Sequence, residues 1–288
     1  MPDTTIANLV SQMPKPAADG KRGGILDNVD KPALDKTIDE LVKSGAEGVK
    51  AIIDMLVDKQ PEKDSEARHA LHAIVFRVGA PGRENERKVV AESIAAAIGG
   101  AKPREVQAFL IAQLQYVGKG EVAPALGKVL LDAELCDPAC AALVAIKEGA
   151  GEQLKNALPK ATGRCRMAII QALGQAREAS AAALVRPHLN DTDRDTRICA
   201  GWTLAVIGDA GSVDALIKAA GGADAAGNAV GWERIQAVKN CLVLAENLSA
   251  AGKKSDAERI YKHLRDTRTD PKEQFVKDIA MKSLGDTN

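Results

Sequence analysis

The stretch DRDTRICAGWTLAVIGDAGSVDALIK, residues 193–218, decides how the chain is read. Asp193 precedes an apolar run, where a helix N-cap is expected, and Arg197 follows one turn later. Ala200, Leu204 and Ile207 recur at steps of three and four, so they share one helix face. Gly208 then supplies a C-terminal stop, because glycine enters the left-handed conformation without steric cost. Beyond Asp209 a second apolar segment carries Val213, Ala215, Leu216 and Ile217. The spacing predicts a helix pair, 194–207 and 211–220.

Working outward, the same first helix recurs before Gly79, Gly118, Gly149, Gly174 and Gly252. Four residues before the six glycines stand Val75, Leu114, Ala145, Ile170, Leu204 and Leu248. Nine before stand Ala70, Phe109, Cys140, Cys165, Cys199 and Val243. A helix that returns in register with a second helix after it is the signature of a stacked repeat protein. The predicted pairs are 33–44 with 46–57, 64–78 with 84–98, 104–117 with 120–131, 137–148 with 150–158, and 164–173 with 177–189. A longer helix at 230–250 precedes helices at 254–265 and 271–284. The expected organisation is a terminal helix and flexible linker over 1–30, repeats over 31–220, a loop at 221–229, and closing helices over 230–288.

Composition agrees with an all-α interior. The chain of 288 residues holds only three Phe, two Trp and two Tyr, and small residues let paired helices approach closely. No alternating run of Val, Ile or Thr lasts long enough to propose a strand. Lys plus Arg equals Asp plus Glu at 39 each, so no long-range field steers a polyanion. No apolar run approaches the ~20 residues needed to span a bilayer, and residues 1–13 lack the pattern of a secretion signal. A cytoplasmic location is expected, or a periplasmic or secreted one if the start has been processed.

Residues 193–217 resemble the HEAT-repeat pattern: an acidic turn, an arginine, an apolar helix, Gly208-Asp209, then a second apolar helix. Asp64 and Arg68 repeat the Asp-x-x-x-Arg spacing of Asp193 and Arg197, with each arginine eleven residues before Gly79 or Gly208. The acid is expected to cap its helix while the arginine reaches the neighbouring repeat's acid. Glycine spacings vary between 25 and 44 residues, which suits HEAT-like repeats better than arrays of fixed period. Leu248, Ala251, Gly252, Ala257, Ile260, Tyr261 and Leu264 are similar to a tetratricopeptide-type helix pair. The resemblance implies a right-handed α-α superhelix of six to seven helix pairs, HEAT-like and of the type found in bilin lyase-like proteins. Arg68, Gly79, Gly118, Gly174, Asp193, Arg197 and Gly208 are its repeat positions.

Chemistry is harder to find. Asp191, Asp193 and Asp195 open like a calcium loop, but Thr196 stands where glycine is needed and Trp202 where glutamate is needed. His69 and His72 lack the His-Glu dipeptides of HEAT-type di-iron hydroxylases, and ordinary histidines are expected. Cys140, Cys165 and Cys199 share one apolar slot, where free cysteine acts as a small hydrophobe. Cys136 lacks partners at zinc spacing. The glycines and basic residues of 20–24 lack the order of a phosphate-binding loop. No cofactor, metal or catalytic set is expected.

Function is therefore expected to be non-catalytic: a scaffold binding a protein or acidic peptide on a concave face. Lys155, Lys160, Arg186, His188 and Lys218 form its expected basic lining. The alternatives are an accessory repeat domain of a larger enzyme system, lyase-like or sugar-processing, and nucleic-acid binding through the basic segment 153–190. Missing aromatic residues in that segment weigh against single strands. The chain is expected to be monomeric.

Overall fold

The computed structural model describes residues 4–15, 30–58, 60–221 and 231–285. Most of the expected linker and nearly all of the expected 221–229 loop lie outside the described residues, as do the glycines and basic residues of 20–24. Among the described residues all regular structure is helical, in a repeated arrangement of packed helices. The chain divides into two compact units, residues 1–153 and 154–288.

In the first unit α1 (Thr4–Val10) is followed by α2 (Lys31–Lys43), α3 (Gly45–Asp54), α4 (Pro61–Val78), α5 (Glu84–Ala96), α6 (Arg104–Val117), α7 (Ala123–Gly127) and α8 (Cys136–Ile146). Helices α2, α4, α6 and α8 pack in sequence as one layer, and α3 packs on α5 in the other. Leu41, Ile52, Leu71, Ile74, Ile94, Leu110 and Leu114 are fully buried between these layers. Helix α9 (Ala150–Ala157) contains the division between the units.

The second unit comprises α10 (Gly163–Gln175), α11 (Ala182–Val185), α12 (Arg194–Val206), α13 (Val213–Gly221), α14 (Trp232–Ala250), α15 (Lys254–Thr267) and α16 (Gln274–Leu284). Helix α12 packs between α10 and α14, and Leu204, Leu216, Leu244, Leu248, Ile260 and Leu264 close its core.

Several second helices are shorter than the spacing predicts. The expected 177–189 helix is broken into a 3-10 turn at Ala179–Ala181, the single turn of α11, and a 3-10 turn at Arg186–Asn190. Pro187 explains the break: it lacks the N–H for the next helical bond, and its ring crowds the preceding turn. Pro159 has the same effect after α9, in the 3-10 turn Leu158–Lys160. The expected 120–131 helix reduces to a 3-10 turn at Gly120–Val122 and the five residues of α7.

The six glycines are not one device. Gly208 and Gly252 are left-handed stops, with φ of 72° and 75°. Gly79 and Gly118 follow α4 and α6 with φ of −70° and −69°, so they close those helices without that conformation. Helix α8 ends earlier, at Ile146, and Lys147 rather than Gly149 is its C-cap, with φ 64°. Gly174 sits inside α10. A Cβ there would lie 2.5 Å from Trp202 Cζ3 and 2.8 Å from Thr203 Oγ1, so close packing of α12 explains this glycine.

Arginines tie the layers together. Arg68 donates to Asp64 (2.9 Å), to the Val57 carbonyl (3.2 Å) and with both terminal nitrogens to Glu105 on α6 (2.9 and 2.8 Å). Arg197 donates to the Asp191 carbonyl (2.8 Å) and, through two nitrogens, to Glu233 on α14 (2.6 and 2.8 Å). Arg166 does the equivalent on α10, donating to the Ala161 carbonyl (3.0 Å) and to Asp191 (2.8 Å). Each fork holds its own helix start and an acid of the next repeat, fixing orientation as well as adding energy. Asp193 caps α12 by accepting from the Thr196 N–H (2.7 Å) and hydroxyl (2.8 Å).

Candidate functional site

The basic residues of the central repeats are mostly occupied with neighbouring acids. Arg186, in the turn after α11, donates to both oxygens of Asp209 at 2.7 and 2.6 Å. Burial opposes ionisation of Asp209, but the bonds from Arg186 and Ser212 prevail and hold its carboxyl below the usual range. Lys155 on α9 donates to Ser180 (2.5 Å) and lies 3.6 Å from Glu178. His188 Nδ1 lies 3.4 Å from Asp191. The Asp193 N–H, then Arg166 and His188 working against burial, bring the Asp191 carboxyl down to about 2. Lys160 is exposed beyond the end of α9. Lys218 is exposed on α13 and lines a cavity that none of the other four reaches.

That cavity, of about 410 Å³, lies among α12, α13 and α14 within the second unit. Leu189, Ile198, Leu216 and Ala219 give it apolar walls, while Arg197, Glu233, Lys218 and Asn240 bring polar groups to it.

A second surface lies in the first unit. Phe76 on α4 and Tyr116 on α6 are 56% and 58% exposed, although the whole chain has only seven aromatic side chains. Their ring centroids stand 5.1 Å apart, and the His72 ring lies 4.6 Å from Phe76 and 6.0 Å from Tyr116. His72 Nδ1 is held 2.9 Å from Gln113 Oε1, which fixes the ring against the pair. Clustered aromatic rings in tilted and edge contact form a rigid apolar surface of the kind enriched at protein interfaces. Neither residue belongs to a motif that the sequence offers. The available signal was their register: Phe76 lies three before Gly79 and Tyr116 two before Gly118, off the stripe of buried positions.

Among the described residues no group of three or more His, Cys, Asp or Glu is placed to hold a metal ion, and no helix is long and apolar enough to cross a membrane. Cys136, Cys140, Cys165 and Cys241 are buried and Cys199 is half-buried. Burial pushes the Cys199 and Cys241 thiols up to about 12, so these are packing residues rather than nucleophiles.

The family described as HEAT repeats matches residues 151–228. No curated protein sequence matches the chain. Among solved structures, an engineered protein is similar at 17% identity, covering 98% of this chain and 79% of its own, with a TM-score of 0.46. The complex of CpcE and CpcF of phycocyanin lyase from Nostoc sp. PCC7120 is similar at 18% identity, covering 82% and 94%, with a TM-score of 0.42. A structure from work on the interaction between cadherin and beta-catenin is similar at 15% identity, covering 98% and 63%, with a TM-score of 0.40. Residues 151–228 match the HEAT-repeat family model, and the described residues of the chain form repeated, packed helices.

Proposed function

We propose that the chain is a non-catalytic scaffold that binds a partner protein through the aromatic surface of α4 and α6. The exposed Phe76–Tyr116 pair carries this reading. Half-exposed aromatic side chains in water lose apolar hydration on every encounter with a complementary apolar side chain, and such anchors dominate interface energetics. The partner would present an aliphatic or aromatic anchor to the two rings. The basic residues of the central repeats support this less well, because Lys155, Arg186 and His188 already face acids. The same pairing weighs against a nucleic-acid surface, which needs cations available to phosphates.

The double variant Phe76→Ala/Tyr116→Ala tests the proposal by affinity capture from cells of the source organism. Circular dichroism should be unchanged, because both side chains are more than half exposed, while recovery of the specific partner should fall at least tenfold. Lys218→Glu should leave recovery as it is. Undiminished capture by the aromatic double variant would move the docking surface elsewhere.

A further inference from the structure

The cavity of the second unit has the construction of a ligand site that the scaffold role does not use. Its volume of about 410 Å³ falls within the range of small-molecule sites. Asn240, on α14, lines it and is only 5% exposed. No hydrogen bond within the described residues engages its amide, and that amide is not among the fully buried unpaired groups, so it keeps contact with the space of the cavity. A neighbouring glycine keeps that amide accessible. A Cβ on Gly201 would lie 2.9 Å from Asn240 Nδ2 and 3.3 Å from Leu216 Cδ2, closing the space in front of it.

The charges around the cavity select the ligand's sign. Arg197 and Glu233 neutralise each other through their two-bond fork, and Arg234 is held by both oxygens of Glu273 at 2.9 Å each. Lys218 is the one cation of the lining without an acid partner among the described residues. An amide with two N–H donors and an ammonium therefore face a space whose apolar walls are Leu189, Ile198, Ala215, Leu216, Ala219 and Ala237, with Asn190 and Gly201 also in the lining. We infer that this cavity binds a carboxylate borne on an apolar body: the carboxylate accepts from Asn240 Nδ2 and Lys218 Nζ, and the body lies against the aliphatic walls. Either a small aliphatic acid or the carboxyl terminus of a peptide ending in an aliphatic residue supplies that chemistry.

Titration of the full chain with hexanoate, hexylammonium and N-acetyl-Gly-Leu, followed by backbone amide shifts in NMR, tests the inference. Hexanoate or the peptide should give saturable shifts at Lys218, Ala219 and Asn240, and hexylammonium should not. Binding should weaken at least tenfold in Lys218→Glu, whose site is exposed and tolerant, and in Asn240→Asp, which keeps the shape and repels the carboxylate. Tighter binding of the peptide than of hexanoate assigns the site to chain termini, and the reverse assigns it to free acids. No saturable shift from either carboxylate up to about 10 mM overturns the inference. So does equal binding of hexylammonium, or wild-type affinity in Lys218→Glu.

Discussion

The turn that ends α10 and the turn that ends α12 close with the same hydrogen bond and different residues. The Glu178 N–H reaches back to the Leu173 carbonyl at 3.0 Å, and the Asp209 N–H reaches back to the Leu204 carbonyl at 3.0 Å. Each bond crosses one left-handed residue, Arg177 with φ 51° in the first turn and Gly208 with φ 72° in the second. Aligned on that bond, Arg166 and Arg197 both stand eleven residues before the left-handed position. Leu173 and Leu204 both stand four before it, and both are fully buried. In these two repeats the unit is therefore measured from the arginine fork to the left-handed turn, whereas the Arg68 fork stands eleven residues before Gly79, whose φ is −70°. Gly174, three residues short of the turn at Arg177, answers to Trp202 of the next first helix instead.

If the two turns are equivalent, the leucines four residues before them carry equal loads. Leu173→Ala and Leu204→Ala should each cost about 2–5 kcal/mol, the range for a buried leucine truncated to alanine. Urea unfolding followed by circular dichroism reads both. Values differing by more than about 2 kcal/mol would separate the two repeats that the shared hydrogen bond places in register.

The glycines should separate where the leucines agree. Gly174→Ala pushes a methyl group into Trp202 and Thr203, and overpacking of this kind costs about 1–3 kcal/mol. That cost should fall when Trp202→Ala is already present, the part due to Thr203 Oγ1 remaining. A double-mutant cycle with no coupling between residues 174 and 202 would leave Gly174 without its packing explanation.

The same contrast shows what could be read from the residues alone. The all-α repeat architecture was legible because apolar side chains at three- and four-residue steps announce helix faces directly, as from Ala200 to Leu204. The 193–218 pair was placed well because its cap, arginine and left-handed glycine are all of the expected types. Register failed in the preceding repeat because an arginine occupies the left-handed position there, while the visible glycine serves a neighbour 28 positions away in the chain. The acids that face the expected basic residues were hidden for a related reason. Charge counts cannot tell which acid a cation meets, and Asp209 and Glu178 lie across turns from Arg186 and Lys155. The aromatic surface was obscured because Phe76 and Tyr116 adjoin buried residues in sequence and become neighbours only when α4 packs on α6.

The smallest expected effect is also the sharpest test of equivalence, because its sign differs between the two turns. A left-handed conformation costs a non-glycine residue about 1–2 kcal/mol, through crowding of Cβ against the following carbonyl. Arg177 bears that strain with an exposed side chain. Arg177→Gly should therefore stabilise the second unit by about 0.5–1 kcal/mol, after allowing for the greater freedom glycine gives the unfolded chain. Gly208→Ala should instead destabilise it by about 1 kcal/mol. Its added Cβ would stand 3.6 Å from Asn247 Cβ, an ordinary contact, so the loss would be conformational rather than steric. Chemical unfolding of the two variants beside the parent chain resolves differences of this size when the slopes of the transitions agree. A loss of stability in Arg177→Gly would mean that the arginine side chain contributes more than its backbone strain costs, and the two turns would then be alike in hydrogen bonding but not in energetics.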